Sequence, residues 1–200
     1  MGDYNILWSN YAFGNDILKY RPEIDGLRAL AVIPVILFHV GLGWFSGGFL
    51  GVDVFFVISG YLIATIIIDE IAEDKFSIVK FYERRARRIL PALSLTVILT
   101  LSLTPFFLIP SQLKDVGQSV FATALFASNY FFYLETDYFN QFSSNTPLLH
   151  TWSLAVEEQF YIIFPIIAIL LKGRIRHIFI IALVIFFVSL FLANETSLSN

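Results

Sequence analysis

A histidine at position 39 sits inside the apolar run Val35-Ile36-Leu37-Phe38-His39-Val40. Imidazole can take and return a proton near neutral pH, so a histidine in such a setting is a candidate general base. Arg28 precedes it by 11 residues. Eleven helical steps of about 100° end roughly 20° past three full turns, so the two side chains share a face about 16 Å apart along the axis. Asp25, three residues before Arg28, can pair with it. Asp53 lies in Gly51-Val52-Asp53-Val54-Phe55-Phe56 and could orient His39 if two helix ends meet. Arg85 and Arg88, in Glu83-Arg84-Arg85-Ala86-Arg87-Arg88, stand three apart and share a face. Guanidinium forks bind phosphates bidentately, so this pair could hold an anionic cofactor. A fourth group runs along His150-Thr151-Trp152-Ser153-Leu154-Ala155-Val156-Glu157-Glu158-Gln159-Phe160-Tyr161. His150, Ser153, Glu157 and Tyr161 recur at helical spacing. The two glutamates point about 100° apart, so at most one readily faces a shared site.

Each group also has a purely structural reading. His39 could bond a neighbouring helix, and Arg28 could snorkel to an interface. Asp53 could cap a helix. The arginines could set topology and hold lipid headgroups. The polar stripe could be a seam between helices.

The elements that must position these residues are membrane helices. Hydrophobic residues make up 57% of the 200 and charged residues 14%, against about a quarter charged in soluble domains. Mean hydropathy is +0.73. So few charges cannot cover a soluble globule, and a net charge of -3 has the wrong sign for binding nucleic acid. There is no cysteine, hence no disulfide, thiolate metal site or cysteine nucleophile, and no metal site is expected.

The pattern predicts an all-α, polytopic transmembrane bundle with five or six membrane segments, at residues 27–44, 49–68, 89–109, 116–134, 148–171 and 178–193. Residues 1–20 are polar and expected to be cytoplasmic, with no removable leader expected, and precede a membrane domain over 21–200. Six of the 13 Lys and Arg residues lie between Lys75 and Arg88, which predicts a cytoplasmic loop there. Lys172, Arg174 and Arg176 predict a second one. Both fall inside if residues 116–134 enter the membrane without crossing it, with the Lys- and Arg-free stretch 135–146 outside. Five crossings and one partial helix are therefore preferred over six crossings.

Four blocks, in order, resemble the membrane acyltransferase 3 family of polysaccharide O-acetylases. They are Tyr20-Arg21-Pro22-Glu23-Ile24-Asp25-Gly26-Leu27-Arg28 with His39 downstream; Gly48-Phe49-Leu50-Gly51-Val52-Asp53-Val54-Phe55-Phe56-Val57-Ile58-Ser59-Gly60; Phe81-Tyr82 followed by Arg85, Arg88 and Pro91; and His150 to Tyr161. The resemblance implies a multi-pass enzyme of the bacterial inner membrane. It would move acetyl from acetyl-CoA, not permanently bound, to a hydroxyl of a cell-envelope or extracellular glycan. It implies that His39 and Arg28 are essential and that Arg85 and Arg88 act on the cytoplasmic side. His39 would be a general base or an acyl carrier, Asp53 could orient it, and Glu157, counted with the catalytic residues, would line the acceptor side with Ser153, Trp152 and His150. Family members carry further helices beyond the position matching Asn200, which this chain is expected to require. A membrane transporter or carrier, and an inactive fragment, are the competing readings.

Overall fold

The computed structural model describes residues 22–134 and 146–198, with side-chain surroundings through Asn194. Residues 1–20 and most of the predicted outer loop 135–146 lie outside the described residues. Among the described residues seven α-helices form: α1 (Pro22–His39), α2 (Gly51–Ala72), α3 (Ile78–Leu103), α4 (Pro110–Ala124), α5 (Ser128–Leu134), α6 (Thr151–Leu170) and α7 (Ile175–Leu198). Among the same residues there is no strand, as the sequence predicts. The chain divides into two compact units at Leu62/Ile63, within α2.

Among the described residues, four helices are long and apolar enough to cross a membrane: Gly48–Ala72, Ile78–Phe106, Thr151–Leu170 and Ile175–Asn194. The last is apolar all round and has none of its apolar window buried against the protein, as a helix surrounded by lipid would. The α1 helix has only 18 residues, and Glu23, Asp25 and Arg28 are among them.

Residues 116–134, read as one segment, fall on two helices, α4 of 15 residues beginning at Pro110 and α5 of 7, each too short to span about 30 Å of hydrocarbon. The break has no glycine or proline. Phe126 takes the left-handed conformation, φ 51°. Its N–H bonds the Thr123 carbonyl and the Ala127 N–H bonds the Ala122 carbonyl, which closes the end of α4 as a Schellman turn.

The third predicted segment also starts earlier than hydropathy suggested. Ser77 caps α3, accepting the Lys80 N–H at 3.5 Å, so the helix begins inside the basic run. Arg84 to Arg88 are therefore helical and not part of a loop. Pro105 helps end it in a 3₁₀ turn at Thr104–Phe106.

In the first unit, α1 and the start of α2 run antiparallel and very close. The 3₁₀ turn Gly48–Leu50 lies on α1. A methyl group at Gly48 would meet the Pro34 backbone, and one at Gly51 the Ala31 carbonyl and Val35. In the second unit Ile63, Ile67, Phe81, Tyr161 and Ala168 form the core, drawn from α2, α3 and α6.

Candidate functional site

In the first unit, His39 is the last residue of α1 and is exposed. Its Nδ1 donates to the Val35 carbonyl at 2.8 Å. That carbonyl can only accept, so the bond fixes the tautomer and leaves the ring lone pair on Nε2. A backbone turn ends α1 directly after His39. The Gly41 N–H bonds the Phe38 carbonyl, and Gly41 has φ 82°, a conformation glycine adopts without strain.

Arg28 is turned away from solvent. Its guanidinium sits 5.4 Å from the centroid of the Phe55 ring and 4.0 Å from Asp25. Its Nε is buried and has no hydrogen-bond partner among the described residues. Ser59, one turn beyond Phe55 on α2, is also buried, its hydroxyl without a hydrogen-bond partner among the described residues.

Asp53 does not orient His39. The antiparallel approach sets Phe55 against Arg28, Gly51 against Ala31 and Gly48 against Pro34. Asp53 therefore stands opposite the Arg28–Ala31 turn, well over two turns of α1 from His39. It is exposed and makes no hydrogen bond or ion pair among the described residues. Its place in the first turn of α2 suits a carboxylate at a positive helix end. Among the described residues, His39 is held by the Val35 carbonyl of its own helix.

In the second unit the four clustered arginines separate by partner. Arg84 binds Glu70 at 3.1 Å, tying α3 to α2, and Arg87 binds Glu83 at 2.7 Å. Arg85 and Arg88 have no carboxylate partner among the described residues. Arg88 is exposed. Arg85 is half-buried, its guanidinium 4.7 Å from the Tyr161 ring centroid and 5.8 Å from that of Phe81. Both rings belong to the core, so the cation stands on a rigid aromatic floor. Tyr82 fixes the same two helices, donating its hydroxyl to the Ile162 carbonyl at 3.1 Å.

On α6 the face turned inward carries Ala155, Glu158, Tyr161, Pro165 and Ala168. Glu157, favoured from spacing, accepts the Tyr161 hydroxyl. Its neighbour Glu158 is the buried carboxylate, 8% exposed. Sequence reasoning passed over it. The available signal was slight: Ala155 one turn before it and Ala168 further along the same face, since small residues mark close helix packing in membranes. His150 precedes the first residue of α6 and accepts the Ser153 hydroxyl on its carbonyl at 3.0 Å. Trp152 and Ser153 are half-buried at this end.

A second polar group joins α6 to the α4–α5 break. The Gln159 amide donates to the Phe126 carbonyl at 2.9 Å and exchanges hydrogen bonds with Asn129 at 2.9 and 3.1 Å. Ser128 donates to the Thr151 carbonyl at 2.9 Å. Thr151 spends its proton on the Leu148 carbonyl, so Thr123 donates to the Thr151 hydroxyl at 3.0 Å.

Residues 21–196 match the family model for an acyltransferase domain. The chain is 41% identical over 174 residues to the O-acetyltransferase OatA of Staphylococcus aureus, covering 83% of this chain and 28% of that protein. It is 43% identical over 149 residues to the peptidoglycan O-acetyltransferase OatA of Listeria monocytogenes, covering 74% of this chain and 24% of that one. The chain thus spans about a quarter of the length of these relatives. No solved structure matches it.

Proposed function

This chain belongs to the acyltransferase domain family, and from that premise we propose that it works in a multi-pass O-acetyltransferase of the bacterial cell membrane. The donor is acetyl-CoA on the cytoplasmic side, and the acceptor is a hydroxyl of a cell-envelope glycan. Peptidoglycan is the preferred acceptor, in keeping with the name of the Listeria relative. One observation carries the donor assignment. Of the arginines between Arg84 and Arg88, the two already paired with glutamates are Arg84 and Arg87, which leaves Arg85 and Arg88 for an external anion. Arg85 and Arg88 hold the phosphates of the donor, Arg85 from its aromatic floor and Arg88 from the exposed side.

The first unit supplies the proton chemistry. With Nδ1 committed to Val35, Nε2 is the basic nitrogen of His39. It removes the proton of the acceptor hydroxyl as the oxygen attacks the thioester carbonyl. The carbon–sulfur bond breaks, the acetyl ester forms, and the leaving thiolate recovers a proton from the imidazolium. In the variant with an acyl-histidine, Nε2 itself attacks and the acceptor takes acetyl in a second step. Arg28 stabilises negative charge developing on the oxygen or the sulfur. Trp152, Ser153 and His150 line the acceptor side, where the indole can pack on a sugar ring. Glu157 acts through Tyr161, whose hydroxyl it holds.

The test is to express the native gene in a bacterium whose cell wall lacks O-acetyl groups and to measure base-labile acetate on the isolated glycan. Acetate above the empty-vector control supports the reading. Its absence, with the protein present in the membrane, overturns it.

A further inference from the structure

Glu158 is a carboxylate on a helix apolar enough to cross a membrane, and it is 8% exposed. Its Oε1 is closed off from solvent and has no hydrogen-bond partner among the described residues. An unsatisfied carboxylate oxygen in such surroundings is costly, so a site that keeps one has a use for it. Arg85 is the cation in whose field it stands, together with Glu157. Yet Arg85 and Glu158 do not form an ion pair. The guanidinium is held back on the Tyr161 ring, one helical turn along α6 from Glu158, and on Phe81. A guanidinium held on aromatic rings and a buried acceptor oxygen one turn along α6 therefore coexist without forming an ion pair.

A group that bridges the two must accept from the guanidinium and donate to the carboxylate oxygen. A secondary amide does both, its carbonyl taking a guanidinium N–H and its own N–H going to the carboxylate. The pantetheine arm of a coenzyme A thioester carries such amides on a chain narrow enough to pass between side chains. Resting on the donor reading above, we propose that Arg85 and Glu158 together bind an amide of the pantetheine arm, with Glu158 Oε1 accepting its N–H. Arg85 then has a second task beside the phosphates, which its five donors allow. Glu157, occupied by Tyr161, has no part in this contact.

The experiment uses the chain in lipid nanodiscs and three probes: acetyl-CoA, pantetheine, which lacks the nucleotide, and adenosine 3′,5′-bisphosphate, which lacks the arm. For Glu158→Leu, pantetheine and acetyl-CoA should each bind about tenfold or more weakly, the usual consequence of losing a hydrogen bond to a charged group. The bisphosphate should bind as to the unaltered chain. Glu158→Gln keeps an acceptor oxygen without the charge and should lose several-fold on pantetheine and acetyl-CoA, with the bisphosphate unaffected. It decides the matter if Glu158→Leu fails to insert. Pantetheine affinity unchanged in Glu158→Gln, or all three probes weakened equally, overturns the amide contact and leaves the donor assignment standing. If the unaltered chain binds neither acetyl-CoA nor pantetheine, the donor assignment falls and this contact falls with it.

Discussion

Adding one methyl group at Gly51 tests how closely the first unit is packed. A Cβ built there lies 2.8 Å from Val35 Cγ2 and 3.2 Å from the Ala31 carbonyl carbon, and nearer still to that carbonyl's oxygen. Ordinary contact begins near 3.4 Å. Two of these three atoms are backbone, so no change of rotamer relieves them, and α1 must move off by on the order of an ångström. Overpacking of this kind typically costs about 1–3 kcal/mol. In a chain of this size that lowers the unfolding midpoint by about 2–4 °C per kcal/mol. Gly60, in the middle of the same helix, has nothing within 4 Å of its added Cβ. There alanine should stabilise by about 0.5–1 kcal/mol, because glycine is the poorer helix former. Thermal unfolding of detergent-solubilised Gly51→Ala and Gly60→Ala, followed by monodispersity on size exclusion, compares them directly. Gly51→Ala should melt several degrees below the unaltered chain and Gly60→Ala at or above it. Equal midpoints for the two variants would refute the close approach of α1 to the start of α2, and with it the placement of Arg28 on Phe55.

Arg85→Ala and Arg88→Ala should raise the KM for acetyl-CoA about tenfold or more, with a much smaller change in the KM for the glycan, as steady-state kinetics with each substrate varied will show. A cysteine at Ser77, the cap of α3, should resist an impermeant thiol reagent in intact cells and react after lysis; the absence of native cysteine makes labelling by mass shift unambiguous. Gln159→Leu should lower the unfolding midpoint, since the Phe126 carbonyl and Asn129 amide lose their partners; unsatisfied groups of this kind cost about 1–3 kcal/mol each. Protease sensitivity at the α4–α5 break should rise with it.

Hydropathy made the long helices legible because a membrane helix needs little more than length and apolarity. It was least informative where tertiary contacts decide. Nothing around Phe126 signals a helix end by composition; the turn is held by Gln159, 33 residues away. The charged start of α3 reads as loop by hydropathy because charge lowers hydropathy without lowering helix propensity, and arginine is a good helix former. At the site, spacing correctly put Arg28 and Asp25 together, since the i,i+3 relation is local. It could not pair Asp53, because the register between α1 and α2 is set by the Gly48 and Gly51 contacts and not by where each helix begins. Nor could it choose between Glu157 and Glu158. That choice depends on which side of α6 meets Phe81 and Arg85, a fact of packing.

The central claim is that Nε2 of His39 takes part in acyl transfer. In His39→Gln the side chain keeps similar reach and can still donate to the Val35 carbonyl, but it has no basic nitrogen. The decisive measurement is base-labile acetate on the cell-envelope glycan, normalised to the amount of His39→Gln protein in the membrane. Loss of a general base lowers rate by about 10²–10⁴-fold, so acetate should fall to the level of the empty-vector control at normal protein abundance. Near-normal acetate in His39→Gln would contradict the account and leave His39 as a residue that ends a helix.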